Sequence, residues 1–86
     1  MKVVSVRRWR GVWITVIGAD RGDIERLTQL GFEYKKGKMR KRVNTTTEAY
    51  WVAHQLHSNG FWVTKRLAKQ LRKNIYEVDK TRVVPE

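Results

Sequence analysis

The chain has 86 residues and a mass of 10.2 kDa, which leaves room for one small domain and a single core. Its 41% hydrophobic content, with one Pro and 6 Gly, is that of a folding sequence and excludes disorder over most of the length. Lys and Arg number 19 against 8 Asp and Glu, a net charge of +11 that points to a polyanionic partner, and the absence of Cys excludes a disulfide framework, a thiolate metal site and a cysteine nucleophile.

The apolar runs are a few residues long, far short of the roughly 18 that span a bilayer. Met1–Trp9 turns basic at Arg7 and Arg8 before a leader-like apolar stretch develops. No membrane partner is expected. The expected location is cytoplasmic, either the nucleoid or the cytoplasm of a host.

In chain order, Val3–Val6 and Val12–Ile17 are β-branched and aromatic runs around Arg10-Gly11, which predicts a β-hairpin. Along the second run Val12, Ile14 and Val16 share one face, and Trp13, Thr15 and Ile17 the other. A first helix follows, with Asp20 as its cap, Asp23 and Glu25 in the first turn, Ile24, Leu27 and Leu30 at helical spacing, and Gly31 at its end. Phe32–Tyr34 and Met39–Val43 flank Lys35-Lys36-Gly37-Lys38 and predict a second hairpin, weakly alternating and therefore exposed or at an edge.

Thr45 and Glu48 read as a capping box ahead of Ala49, Val52, Ala53 and Leu56, the apolar stripe of a second helix closed by Asn59-Gly60. Phe61–Val63 is a short connector or strand, after which Thr64 caps a third helix with Leu67, Ala68 and Leu71 inward. Ile75–Val78 reads as a short strand, and residues 79–86 as a flexible tail. The sum is a single α+β domain over residues 1–78, with antiparallel strands and two or three helices in the order ββαββαα.

The positive charge is clustered. Six of the eight residues from Lys35 to Arg42 are basic, and of these Lys35, Lys36, Lys38, Arg40 and Arg42 are candidate phosphate ligands. Lys65, Arg66, Lys69, Arg72 and Lys73 cover the polar side of the third helix, and Lys2, Arg7, Arg8 and Arg10 surround the first turn, with Arg8 and Arg10 the candidate ligands there. Scattered cations would mean only a solvated surface, whereas three runs without compensating acids point to nucleic acid, DNA or RNA, met by a hairpin arm able to enter a groove. Trp9 and Trp51 are candidates for stacking on bases, although the small apolar content favours the core for Trp9. Trp13 and Trp62 sit in apolar runs and read as core residues.

His54 and His57 lie at i, i+3 without a third ligand nearby, so no metal is expected. Asp20, Asp23 and Glu25 fit helix capping better than Mg²⁺ binding for phosphodiester cleavage, and Gly18–Gly22 lacks a phosphate-loop Lys. The expectation is therefore a non-catalytic, cofactor-free nucleic-acid-binding protein. The alternative is a small inhibitor that covers an acidic surface of a host enzyme handling nucleic acid or defending against phage.

Residues 27–56 also carry Leu30-Gly31-Phe32, Tyr34, Lys38 and Thr46–Ala49. This stretch resembles a small module of phage and plasmid proteins in which a helix ends in Leu-Gly-Phe, an aromatic follows two residues on, and a basic hairpin leads to a helix opening with Thr-x-x-Ala. The resemblance implies an accessory or regulatory role in a mobile-element setting.

Overall fold

The computed structural model describes residues 1–85, built around a six-stranded mixed sheet with three helices packed on one face. Strands β1 (Val3–Arg8) and β2 (Val12–Ile17) form the first hairpin, and α1 (Arg21–Gln29) follows. The second hairpin is β3 (Glu33–Lys35) with β4 (Lys38–Val43), then come α2 (Thr46–Ser58), β5 (Trp62–Thr64), α3 (Lys65–Lys73) and β6 (Val83–Val84). The expected α+β domain and its ββαββαα frame stand. The two short strands β5 and β6 complete a sheet ordered β3-β4-β2-β1-β5-β6.

Within this sheet the pairs β1–β2, β2–β4 and β3–β4 are antiparallel, whereas β1–β5 and β5–β6 are parallel. Phe61–Val63 thus supplies a strand, which must run parallel to β1 because the whole of α2 lies between β4 and it as a crossover. Three expectations are corrected. Of the second hairpin only β3 is an edge, as expected, whereas β4 lies inside the sheet between β2 and β3. Ile75–Val78 forms no strand. Residues 79–84, read from sequence as a loose tail, carry a 3-10 turn at Lys80–Arg82 and then β6, which pairs Val63 with Val83 and Thr64 with Val84; Glu86 lies outside the described residues.

The covered face follows from strand alternation. Val4, Ile14, Val16, Met39, Val43 and Val63 point to the helices and are buried with Leu27, Ala49, Ala53, Leu56, Leu67, Ala68 and Leu71. Each large aliphatic side chain so buried contributes roughly 1.5 to 3 kcal/mol relative to exposure. The apolar stripes expected on α2 and α3 are those that pack, while Leu30, at the end of α1, is exposed. No helix among the described residues is long and apolar enough to cross a membrane.

The helix caps fall where the sequence places them. Asp20 accepts from the Asp23 backbone N–H at 2.8 Å while Asp23 accepts from that of Asp20 at 3.2 Å. Thr45 accepts from Glu48 and Thr64 from Leu67. Glu48 reaches back one residue further than a capping box requires, to the Asn44 backbone N–H. Gly18 leaves β2 at φ +82, and a Cβ there would run into the Met1 carbonyl, so only glycine lets the N-terminal segment pass.

Asp23 does more than cap. It is buried, and its Oδ1 accepts from Lys2 Nζ at 2.9 Å and from Arg26 at 3.2 Å. Burial pushes its carboxyl pKa up, but the hydrogen bonds from Lys2 and the Asp20 backbone, with the Lys2 charge, outweigh this and hold it below the usual 3.8. The folded state therefore binds this proton less readily than the unfolded state. Its stabilising contribution is complete above about pH 4 and is lost as pH falls through the depressed folded value. Asp23→Asn is expected to cost about 1 to 3 kcal/mol near neutral pH and to flatten the acid limb of stability. Thermal melts from pH 6 to pH 2 check this, and equal acid sensitivity in the two proteins would contradict it.

Candidate nucleic-acid interface

The helices cover one face of the sheet and leave the other bare. Strand alternation places Arg7 on β1, Trp13, Thr15 and Ile17 on β2, and Lys38, Arg40 and Arg42 on β4 on that bare side. Register brings them into rows: Arg7 is paired with Trp13 and Trp13 with Arg42, while Ser5, Thr15, Arg40 and Glu33 follow one another across four strands. The next row joins Val3, Ile17, Lys38 and Lys35.

An open groove of about 400 Å³ lies on this face, lined by Ser5, Arg7, Trp9, Trp13, Thr15, Ile17, Lys35, Lys36, Lys38 and Arg40. Its lining holds five cations and no acid. None of these five forms an ion pair among the described residues, where the ion pairs involve Lys2, Arg26 and Arg82. Lys35 and Lys38 stand directly opposite each other across β3 and β4, a like-charge pair that disfavours folding.

Trp13 forms the floor and is held from two sides. Its Nε1–H donates to the Trp9 carbonyl at 3.2 Å, and the Arg40 guanidinium lies 4.7 Å from the ring centroid. Arg40 Nε is covered and has no hydrogen-bond partner among the described residues. Trp9, at the rim, is 70% exposed, with Arg10 stacked 5.1 Å from its ring. These positions correct the sequence reading twice: Trp9 lies on the surface, and Trp13 and Trp62 are half-buried on the bare face, outside the core. An indole within an apolar run reads as core, but only every second residue of a strand can face the helices.

A second groove of about 720 Å³ adjoins the first and shares Arg7 and Trp9 with it. Its remaining lining is Val6, Arg8, Tyr50, Thr64, Arg66, Leu67 and Gln70, so it leads from the end of β1 to the first turn of α3. Arg8 and Arg66 thus stand on the helix side of the sheet, around the end of β1 from the bare face. Arg42 is on that face by register but packs on Gly11, where an added Cβ would meet its Nε at 2.6 Å. Lys65, Lys69, Arg72 and Lys73 are exposed on α3, and Trp51 on α2; they belong to the helix layer and line neither groove. Lys41, in the same basic run, faces the other way and donates to the Leu30 carbonyl at 2.8 Å, where it caps α1.

The sequence places Arg7 in the basic cluster around the first turn without making it a candidate ligand, and reads Trp13 as core. Their signal is non-local, since it appears only when β1, β2 and β4 are set in register. The hairpin expected to project as an arm is instead built into the sheet, because β4 pairs with β2 from its first residue and only Lys36-Gly37 extends beyond the ladder.

Both hairpin tips carry backbone strain. Arg10 and Lys36 have φ of +51 and +52, left-handed values at which a side chain costs roughly 1 to 2 kcal/mol. Lys36 and Gly37, at +52 and +79, make a two-residue turn of the kind that favours Asn-Gly. Lys36→Asn is expected to stabilise the fold by about 0.5 to 1 kcal/mol, raising Tm by a few degrees, while lowering the salt slope of polyanion binding by about one. A calorimetric scan and a two-salt titration on the same variant check both signs.

His57 is engaged by backbone on both sides: Nδ1 donates to the Phe61 carbonyl at 2.9 Å and Nε2 accepts from the Asp79 N–H at 2.9 Å. His54 stacks on Tyr76 with ring centroids 4.5 Å apart. Among the described residues no three His, Asp or Glu side chains gather in a metal-binding arrangement. Comparison with protein-family models, with curated proteins and with solved structures finds no match.

Proposed function

We propose that the protein is a non-catalytic nucleic-acid-binding domain that grips a phosphate backbone on the bare face of its sheet. One observation carries this reading: Arg7, Lys35, Lys36, Lys38 and Arg40 converge on one open groove beside Trp9 and Trp13, with no ion-pair partner and no acid in the lining among the described residues. Holding like charges this close costs stability, and an anionic ligand offsets that cost. Arg8 and Arg66 in the adjoining groove extend the track. Arg10, Arg42, Lys65, Lys69, Arg72 and Lys73 add to the long-range attraction. In this reading the protein acts in the cytoplasm without a cofactor, and the resemblance of residues 27–56 to the phage and plasmid module supports an accessory role in a mobile element.

The test is a titration with DNA and RNA oligonucleotides at about 50 and 200 mM salt. Seven cations along the two grooves would release counterions with a log–log slope of roughly −5 to −6, according to strandedness. Absence of binding at about 50 mM salt overturns the reading. Tight, nuclease-insensitive binding to one acidic protein instead would establish the inhibitor alternative.

A further inference from the structure

We infer that the ligand of the bare face is a single strand, with at least one base stacked on the exposed indole of Trp9 and its phosphates running from the Lys35–Lys38 corner past Arg40 to Arg7. This rests on the nucleic-acid reading above and narrows it. Three observations carry it.

The first is shape. A duplex is read by an element that enters a groove roughly 8.5 Å deep. The sheet offers none: its turns span Trp9–Gly11 and Lys36-Gly37, and both hairpins are paired up to those turns. The bare face is instead an open groove, which receives a ligand and does not insert into one.

The second is chemistry. Phosphates need only cations, and two indoles among five cations are superfluous to a ligand whose bases are already stacked on each other. Trp9 is 70% exposed, and neither Trp9 nor Trp13 belongs to the core, so the core does not account for them. A single strand presents free base faces to such rings, and each stacked base is worth a large factor in affinity irrespective of its identity. Trp13, fixed by Arg40 and by its bond to the Trp9 carbonyl, also holds the loop that carries Trp9.

The third is continuity. The cations at the β3–β4 end, the Trp13–Arg40 pair and the Arg7–Trp9 end follow one another across β3, β4, β2 and β1, three strand spacings or about 14 Å. At Arg7 and Trp9 the track passes into the second groove with Arg8 and Arg66. Such a path suits an extended backbone.

The competing surface is α3, whose exposed Lys65, Lys69, Arg72 and Lys73 form a basic helix face suited to a duplex. The experiment separates the two. The full chain is titrated by anisotropy with single-stranded DNA and RNA, with the matching duplexes, and with an abasic single strand of equal length. Single strands are expected to bind at least tenfold more tightly than duplex or abasic strand. Trp9→Ala is expected to lose about 10- to 100-fold on the single strand with its salt slope unchanged, and to lose nothing on the abasic strand. Trp9→Phe, which keeps a ring, should recover most of the loss. Whichever of DNA and RNA binds more tightly identifies the source. Equal or tighter binding of duplex or abasic strand, or no loss in Trp9→Ala, overturns the single-strand inference and leaves the nucleic-acid reading standing. No binding to any of them at about 50 mM salt overturns both.

Discussion

Replacing Arg7, Lys35, Lys38 and Arg40 together by Gln is expected to lower oligonucleotide affinity by two to three orders of magnitude at about 50 mM salt, and to shrink the log–log salt slope by about three. The fold should survive. These side chains line the groove on the helix-free face and make no ion pair among the described residues, and the change relieves the repulsion between Lys35 and Lys38. Against this stands the removal of the Arg40 guanidinium from the Trp13 ring, an interaction worth on the order of 1 kcal/mol. Net stability is therefore expected to stay within about 1 kcal/mol of the parent. The control replaces Lys65, Lys69, Arg72 and Lys73 on α3 by Gln, which removes an equal charge from the helix layer. If both variants lose affinity equally, attraction is diffuse and the groove is not the site. If the groove variant alone loses it, geometry and not net charge governs binding.

The strain at the two hairpin tips bears on the same point. Arg10 and Lys36 occupy left-handed backbone positions that Asn, Asp or Gly would fill without cost, and both flank the aromatic and basic face. A sequence selected for stability alone would place small residues at both. Retaining cations there fits the tendency of strained positions to gather at functional sites. Ile75, at φ +67 and 93% exposed, is strained as well, but it ends α3 on the helix layer away from the groove. The structure gives no reason for it.

Much of the fold is legible in the sequence because its signals are local. The caps Asp20, Thr45 and Thr64 each bond the residue three positions on, and the stripes Ala49-Ala53-Leu56 and Leu67-Ala68-Leu71 fix which sides of α2 and α3 are buried. The basic run 35–42 is equally plain. What the sequence hides is non-local. Whether the Trp13 or the Ile14 side of β2 meets the helices is decided by all the strands together, and Arg7, Trp13 and Arg40 become neighbours only through register. Strands as short as Trp62–Thr64 and Val83–Val84 carry too few residues to show alternation, so the parallel half of the sheet left no pattern to read. Nor does any local pattern show that His57 meets Asp79, 22 residues away.

His57→Leu tests that last link and is expected to cost about 2 to 4 kcal/mol. The imidazole is 2% exposed, and because a carbonyl can only accept, its proton sits on Nδ1 toward Phe61 while Nε2 takes the Asp79 N–H. Leucine fills much of the same volume but leaves both backbone groups without partners, each worth about 1 to 2 kcal/mol. The loss corresponds to a fall in Tm of roughly 10 to 20 °C for a chain of this size. His54→Leu is the contrast: its buried Nδ1 has no partner among the described residues, so the change should cost under about 1 kcal/mol, mostly the stacking on Tyr76. The damage should also be local. Asp79 leads through the 3-10 turn to β6, and Arg82 donates to the His57 carbonyl at 2.9 Å, so releasing this corner frees the strand that covers β5. The Val83 and Val84 amides should lose protection against hydrogen exchange first, and the bared edge of β5 should promote self-association as concentration rises. The first groove lies on the other side of β1 from β6, so the folded fraction should keep its affinity there, although the second groove includes Thr64, the partner of Val84. Equal losses in the two histidine variants would show that packing, and not the paired hydrogen bonds, holds the C-terminal strand. A drop in groove affinity would show that the two halves of the sheet are coupled.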